Sequence, residues 1–228
     1  MKELLLNFQN VGVAYRKRLS IFSSKQWVLR GLNFKLYRGE TLGVIGRNGA
    51  GKSTLLKLFA NIIEPDEGEI YRSPNTSSQL LALNLGFNRK LTGKENAIMA
   101  LVTNGSSIRE AKARIQEIMQ FAELEHIASH PLKTYSAGQR ARLGFSIAIQ
   151  AKPDILLLDE ILGVGDKNFK EKSKKLIKQK LNSEQTVILV SHSPKTINNL
   201  CSKAIWIENG NIRAAGCAKE VTTEYLKD

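Results

Sequence analysis

The residues Gly46–Thr54 read GRNGAGKST and fall into the pattern G-x-x-x-x-G-K-[S/T]. This constrains the fold more than any bulk property of the chain, because such a loop works only between a strand and a helix. Both neighbours are present: Leu42–Ile45 is a strand-sized apolar run and Ser53–Ala60 reads as a helix. Glycines let the backbone turn so that successive N–H groups face one concavity, and the positive end of the following helix adds to it. Phosphate is the group such a concavity holds. Lys52 can reach β- and γ-phosphates, and the Ser53 hydroxyl can ligate Mg²⁺.

Two further segments fit beside this loop. Ile155–Glu160 reads ILLLDE, four apolar residues followed by carboxylates. This puts Asp159 at the C-terminal end of a buried strand, the edge where open α/β sheets bind ligands. Asp159 is placed for Mg²⁺, directly or through water, and Glu160 for polarising an attacking water as general base. Ser191-His192-Ser193 follows the apolar run Val187–Val190, so His192 leaves a strand on the same edge, where it can touch a γ-phosphate and sense its loss.

The rest of the chain supports an α/β architecture. Short strands are expected at Leu4–Phe8, Trp27–Leu29, Leu32–Leu36 and Thr41–Ile45, with a turn at Asp66–Gly68 and a further strand at Gln79–Leu83. From about Leu91 to Gln150 the period turns helical. In Ile108–Phe121, Ala111, Ile115, Ile118 and Met119 share one face, which Phe121 extends. Strands at Ile155–Leu158, Val187–Val190 and Ala204–Glu208 then alternate with a lysine-rich helix and a helix near Lys195–Cys201. Alternation with continuous apolar strands predicts a buried, mostly parallel sheet interrupted by an inserted helical subdomain. The expected fold is therefore a P-loop NTPase core with an N-terminal antiparallel β subdomain and an inserted α-helical subdomain. Residues 1–228 form one domain in this reading, with 1–86 and 151–228 as core and 87–150 as the helical insertion.

No apolar run approaches the ~20 residues of a membrane span, and the N-terminus shows no cleavage-site pattern. Cys201 and Cys217 form no C-x-x-C or Cys/His cluster, against a disulfide framework or zinc site. The net charge of +13 predicts attraction to phosphate-bearing partners without choosing among them. The densest basic run, Lys167–Lys180, reads first as a solvated helix face.

The segment Lys133–Phe145, KTYSAGQRARLGF, can be read at two levels. Locally, Ser136 and Gln139 have the spacing of a capping box that opens a buried helix. In the company of the other motifs, the segment resembles the signature of an ABC-transporter nucleotide-binding domain. GRNGAGKST then looks like the Walker A loop, ILLLDE like Walker B, Gly165-Asp166 like the end of a D-loop, and His192 like the switch histidine. The resemblance covers nearly the whole chain. LTGKEN (Leu91–Asn96), DEILGVGD (Asp159–Asp166) and SHSPKTINNLC (Ser191–Cys201) narrow it to the ATPases that export bacterial surface polysaccharides: O-antigen, capsule and teichoic acid.

This resemblance implies ATP and Mg²⁺ as ligands. Asn48, Gly49, Gly51, Lys52, Ser53 and Thr54 would bind the nucleotide, Ser53 and Asp159 the metal, and Lys52, Glu160 and His192 would serve catalysis. It implies a homodimer in which each ATP is sandwiched between one subunit's Walker A loop and the other's Ser136, Gly138 and Gln139, with Asp166 nearby. It also implies a dimeric integral-membrane permease that docks a short helix beside the helical subdomain, a lipid-linked polysaccharide cargo, and a peripheral position on the cytoplasmic face of the cytoplasmic membrane. The chain departs from the family at Tyr135 and Ala137, where L-S-G-G-Q is usual, and at LALNLGFNRKLTG, where a glutamine is usual and Asn84 or Asn88 could stand in. Tyr15 is the first choice for the adenine-stacking aromatic and Trp27 the alternative; either ring can also be core. The last family motif lies close to Asp228, so glycan recognition is expected from the permease or from the ATPase surface facing it.

Two other classes remain to be weighed. A DNA-maintenance ATPase shares the sandwich dimer, but the stretch from Lys52 to Ser136 holds no sustained heptads, and no nucleic-acid partner is expected. A small-molecule P-loop kinase would not need SAGQ ahead of ILLLDE.

Overall fold

The computed structural model describes residues 2–16, 25–81, 86–150, 153–159, 166–181 and 183–228. In chain order the elements are β1 (Leu4–Arg16), β2 (Lys25–Tyr37), β3 (Thr41–Ile45), α1 (Lys52–Phe59), β4 (Glu67–Arg72), β5 (Ser78–Leu80), α2 (Gly93–Thr103), α3 (Ile108–Ala122) and α4 (Ala137–Gln150). They continue with β6 (Ile155–Asp159), α5 (Lys167–Leu181), β7 (Thr186–Val190), α6 (Pro194–Leu200), β8 (Lys203–Glu208), β9 (Asn211–Cys217) and α7 (Ala218–Tyr225). The chain divides into two compact units: Met1–Ser78, Asp154–Glu160 and Lys178–Asp228 in one, Gln79–Pro153 and Ile161–Ile177 in the other.

The first unit contains a three-stranded antiparallel sheet, order β2-β1-β4, and the body of a six-stranded sheet, order β5-β6-β7-β3-β8-β9. In the larger sheet β6, β7, β3 and β8 run parallel, and β9 returns antiparallel to β8. Every residue of β3 and β7 is buried, as is each of Ile155–Leu158. Burial on both faces is what their unbroken Leu/Ile/Val runs predict.

The small sheet departs from the sequence expectation. Trp27–Leu29 and Leu32–Leu36 are one strand, and β1 runs past Phe8 to Arg16. Both period breaks are β-bulges. Asn10 (φ 51) and Gly31 (φ 63) take left-handed conformations. Asn33 ties them together, accepting the Asn10 N–H through Oδ1 at 2.9 Å and donating Nδ2–H to the Gly31 carbonyl at 2.9 Å. A bulge shifts the alternation by one residue, so two strand fragments of opposite phase are one ladder. β4, β9 and α7 were not expected. β4 and β9 are edge strands of alternating or low burial, a pattern that carries little apolar signal.

The second unit is helical. Ala111, Ile115, Ile118 and Met119 line its core as their spacing predicts. Phe121 lies on another stripe of α3 and packs against Phe145 and Phe169, with ring centroids 6.1 and 5.7 Å away. The N-termini of α2 and α3 are closed by capping boxes, Thr92 with Glu95 and Ser107 with Glu110.

Asn96, within LTGKEN, is fully buried and organises the turn before α2. Its Oδ1 accepts the Asn88 N–H at 2.8 Å, and its Nδ2 donates to the carbonyls of Asn88, Leu91 and Thr92. That turn in turn holds the segment ahead of α4: Leu132 N–H donates to Leu91 O at 2.8 Å and Lys133 N–H to Arg89 O at 2.9 Å. Asn88 is therefore a turn-building residue, its own Oδ1 accepting the Lys90 N–H. Asn96→Ala removes a fully buried side chain and takes the acceptor from the part-buried Asn88 N–H and the donor from three turn carbonyls. It should cost about 2 kcal/mol in urea unfolding, the order of one orphaned donor.

Candidate nucleotide-binding site

The site starts from the end of β3. Beyond Ile45 the chain turns through the glycine-rich loop into α1, which begins at Lys52. Gly51, at the helix N-cap, has φ 104, a conformation that L side chains rarely adopt. A Cβ there would also fall 2.6 Å from Leu29 Cδ2 and 2.9 Å from the Val28 carbonyl. Gly46 is just as constrained by space, since its Cβ would sit 2.3 Å from the Ile207 carbonyl. The first turn of α1 carries no acidic residue, so nothing on it opposes an anion at its positive end.

Lys52 folds back over the loop, and its Nζ donates to the carbonyls of Gly46 at 2.7 Å and Arg47 at 2.9 Å. A cation is thus held over the loop. Beside it lies a cavity of about 400 Å³ lined by Val28, Asn48, Gly49, Gly51, Lys52, Ser53, Thr54, Asp159 and Val190. The parallel register of β6 and β7 pairs Asp159 with Val190 and so brings both strand ends to the cavity. Ser53 is exposed and Asp159 half-buried. A hydroxyl and a carboxylate next to a phosphate loop suit Mg²⁺, which takes few protein ligands and completes its shell with phosphate oxygens and water. Glu160, Gly165 and Asn84 lie outside the described residues.

His192 follows β7 and is exposed. Its neighbours are pinned: Ser191 donates its N–H to Val44 O at 3.1 Å, and Ser193 caps α6 by accepting the Thr196 N–H. Of the two candidate aromatics, Trp27 lies over Gly12, whose Cβ would meet the indole at 3.0 Å, and its ring carries the Arg30 guanidinium at 4.8 Å. Tyr15 pairs with Gln26, and the register of β1 and β2 shifts just beyond it, between Ala14↔Trp27 and Val13↔Leu29, which leaves Val28 at a bulge. Tyr15 is 44% exposed and does not itself line the cavity. Val28 and Val190 line it without having been singled out in the sequence, because an apolar strand residue carries no chemical signature of a binding wall.

In the second unit, Ser136 N–H donates to Gln139 Oε1 at 2.7 Å and Gln139 N–H to Ser136 Oγ at 3.1 Å. The capping box read from the sequence is present. Ser136, Ala137 and Gly138 are nonetheless exposed, so this helix start presents backbone N–H groups outward. Its approach is fixed by Tyr135, buried, with its hydroxyl donating to Ile127 O at 2.7 Å and burial raising its pKa. Arg140 Nη1 donates to the Tyr135 carbonyl. Asp166 caps α5, accepting the Phe169 N–H at 3.0 Å; that bond first, and the Arg142 charge after it, hold its carboxyl below the usual range. Burial pushes the Cys201 thiol to about 12, which leaves it unreactive.

A strand–loop–helix phosphate cradle facing a strand-end carboxylate, with a capped helix start presented outward from a helical unit, defines an ATP-binding cassette. The comparisons agree. Residues 29–163 match the family model described as ABC transporter, and the chain belongs to that family. It is similar to the teichoic acids export ATP-binding protein of Shouchella clausii, 39% identical over 87% of this chain and 55% of that protein. It is also similar to O-antigen export system ATP-binding proteins of Myxococcus xanthus (41%, 92% of this chain, 48% of that one) and Klebsiella pneumoniae (37%, 88% and 81%). The chain thus spans about half the length of the first two. Among solved structures, a dimeric ATP-binding cassette in a post-hydrolysis state with ADP and phosphate superimposes with a TM-score of 0.75. It is 25% identical, covering 94% of this chain and 99% of that one.

Gly51→Ala combines a strained φ with two close approaches. It should destabilise the chain by about 1–3 kcal/mol and weaken ATP binding at least tenfold, as read by equilibrium unfolding and nucleotide titration.

Proposed function

We propose that the chain is the ATP-hydrolysing cassette of an exporter of a bacterial cell-surface polysaccharide. Lipopolysaccharide O-antigen is the first candidate cargo, and teichoic acid or capsule the alternative. The observation that carries the reading is the cavity in which Lys52, Ser53 and Asp159 meet. The names of the relatives support the transport class, both cargo types appearing among them.

On this reading Lys52 exchanges the Gly46 and Arg47 carbonyls for β- and γ-phosphate oxygens. Ser53 and Asp159 hold Mg²⁺, which supplies neutralisation of the developing phosphate charge. Asn48, Gly49, Gly51 and Thr54 contribute the loop contacts and Tyr15 packs on the adenine. Glu160 orients water for in-line attack and takes its proton, and His192 contacts the γ-phosphate. Catalysis of this kind is mostly positioning and charge stabilisation. Ser136, Gly138 and Gln139 of a second copy, with Asp166, complete the site, so two nucleotides close a homodimer.

A dimeric membrane permease docks on the second unit, placing the cassette on the cytoplasmic face of the cytoplasmic membrane. A cavity of about 550 Å³ there supports this, with Ile98, Ile115 and Met119 as apolar wall and Lys94, Lys112 and Glu125 at its edge. No helix among the described residues is long and apolar enough to cross a membrane.

Glu160→Gln removes the base and should lower steady-state hydrolysis at least a hundredfold, within the range for general-base loss, while ATP binding persists; full activity sinks the assignment. Ser136→Arg should abolish ATPase activity in a protein that stays folded, the lost cap costing about 1 kcal/mol, whereas Ala137→Gly keeps it. A silent Ser136→Arg means that the serine is a helix cap and nothing more. Stimulation of the ATPase by DNA, and not by a co-expressed permease, would favour the DNA-maintenance class instead.

A further inference from the structure

The second unit holds an ion cluster that nucleotide chemistry does not account for. Arg142, on the second turn of α4, has a side chain only 15% exposed. Its Nη1 lies 3.1 Å from Glu123 Oε2 and 3.6 Å from Asp166 Oδ2, and its guanidinium carbon 5.7 Å from the centre of the buried Phe169 ring. Glu123 is the C-cap of α3 in a left-handed conformation (φ 60). Its other oxygen is 3.2 Å from Lys172 Nζ, which also donates to the Phe121 carbonyl at 2.8 Å. Asp166 uses its remaining oxygen to cap α5.

The distribution of burial matters here. Glu123 and Asp166 are 50% and 63% exposed, so neither needs a partner to offset desolvation. The buried member is the arginine, which gives up hydration to sit where two carboxylates from two other elements converge on it. Neutralising one buried acid would need a single contact. A single guanidinium nitrogen from α4, hydrogen-bonded to Glu123 and ion-paired with Asp166 over an aromatic ring, links three segments to one another.

We propose that Arg142 is a positioning residue that locks Asp166 to the helix beginning at Ser136, so that both nucleotide-facing segments shift as one body with the C-terminus of α3. The proposal rests on the reading of Ser136–Gln139 and Asp166 as facing the nucleotide. Arg142 acts through Asp166 and through the orientation of α4.

The test is ATPase kinetics on the full chain. Arg142→Lys keeps the charge and loses the planar guanidinium that lies over Phe169. It should lower kcat about five- to twentyfold with KM for ATP within twofold and a melting temperature close to that of the parent. Asp166→Asn in the same background should add little to that loss, because the two residues act as one unit. Wild-type kcat in Arg142→Lys, a change confined to KM, or penalties that multiply in the double variant would each overturn the proposal. If Arg142→Lys does not fold, Glu123→Gln decides: it removes one arm of the cluster away from the nucleotide. It should lower kcat at constant KM, and wild-type kcat in it refutes the inference. Ser136→Arg run alongside separates the two levels. If it is silent, the functional reading itself fails; if it is inactive beside a fully active Arg142→Lys, only the locking role does.

Discussion

A loop that is to receive the charges of a nucleotide tail must be ready to do so before the nucleotide arrives, and the contact of Lys52 with its own loop meets that need. The ammonium rests on the carbonyls of Gly46 and Arg47, so the cation is already desolvated in part and already placed. On the proposed reading, phosphate would replace two neutral acceptors by charged ones, and charge-assisted bonds are about twice as strong. The surrounding fold follows from holding that loop still. β3 is buried along its whole length, and the absence of space for a Cβ at Gly46 and Gly51 shows β8 and β2 pressed against the loop from either side. The parallel register with β7, and of β7 with β6, then delivers Asp159 to the same cavity.

The helix start at Ser136 meets a different requirement. A helix N-terminus has orphan donors, and Ser136 and Gln139 satisfy one each by reciprocal capping. The remaining N–H groups, at exposed Ala137 and Gly138, stay outward. A capping box and a phosphate-facing segment are therefore not rival descriptions: the box holds the first turn rigid and leaves its positive end available. Ala137, in place of the family's usual glycine, is exposed.

Much of this was legible in the sequence, and the remainder was hidden for definable reasons. The phosphate loop, the strand-end carboxylate and the capping box are local patterns whose geometry follows from spacing alone. The long β1 and β2 were not legible because bulges at Asn10 and Gly31 reverse the alternation, and only the tertiary bonds of Asn33 show that the ladder continues. β4 and β9 were missed because edge strands carry weak apolar periodicity. Asn96 looked like one polar residue within LTGKEN, yet it is fully buried and gathers four backbone bonds. The contact of Arg142 with Glu123 and Asp166 joins three separate stretches of chain, a relation that no window of sequence contains.

The helical unit can be understood as a single relay built around α3. Along this helix Lys112, Ile115, Gln116 and Met119 face the groove, whereas Glu117 accepts from Gln150 of α4, Arg114 donates to the Gln150 carbonyl and Phe121 stacks on Phe145. Groove and α4 are thus contacted by opposite sides of one rigid rod. The C-cap of α3, Glu123, is the residue that contacts Arg142 and Lys172. The contacts form one short chain: groove, α3, Glu123, Arg142, then α4, which begins just after Ser136, and Asp166 ahead of α5. It also gives part of the basic run in α5 a structural role. Lys172 is anchored to α3, and it binds α5 to the same rod, while the exposed lysines around it face solvent.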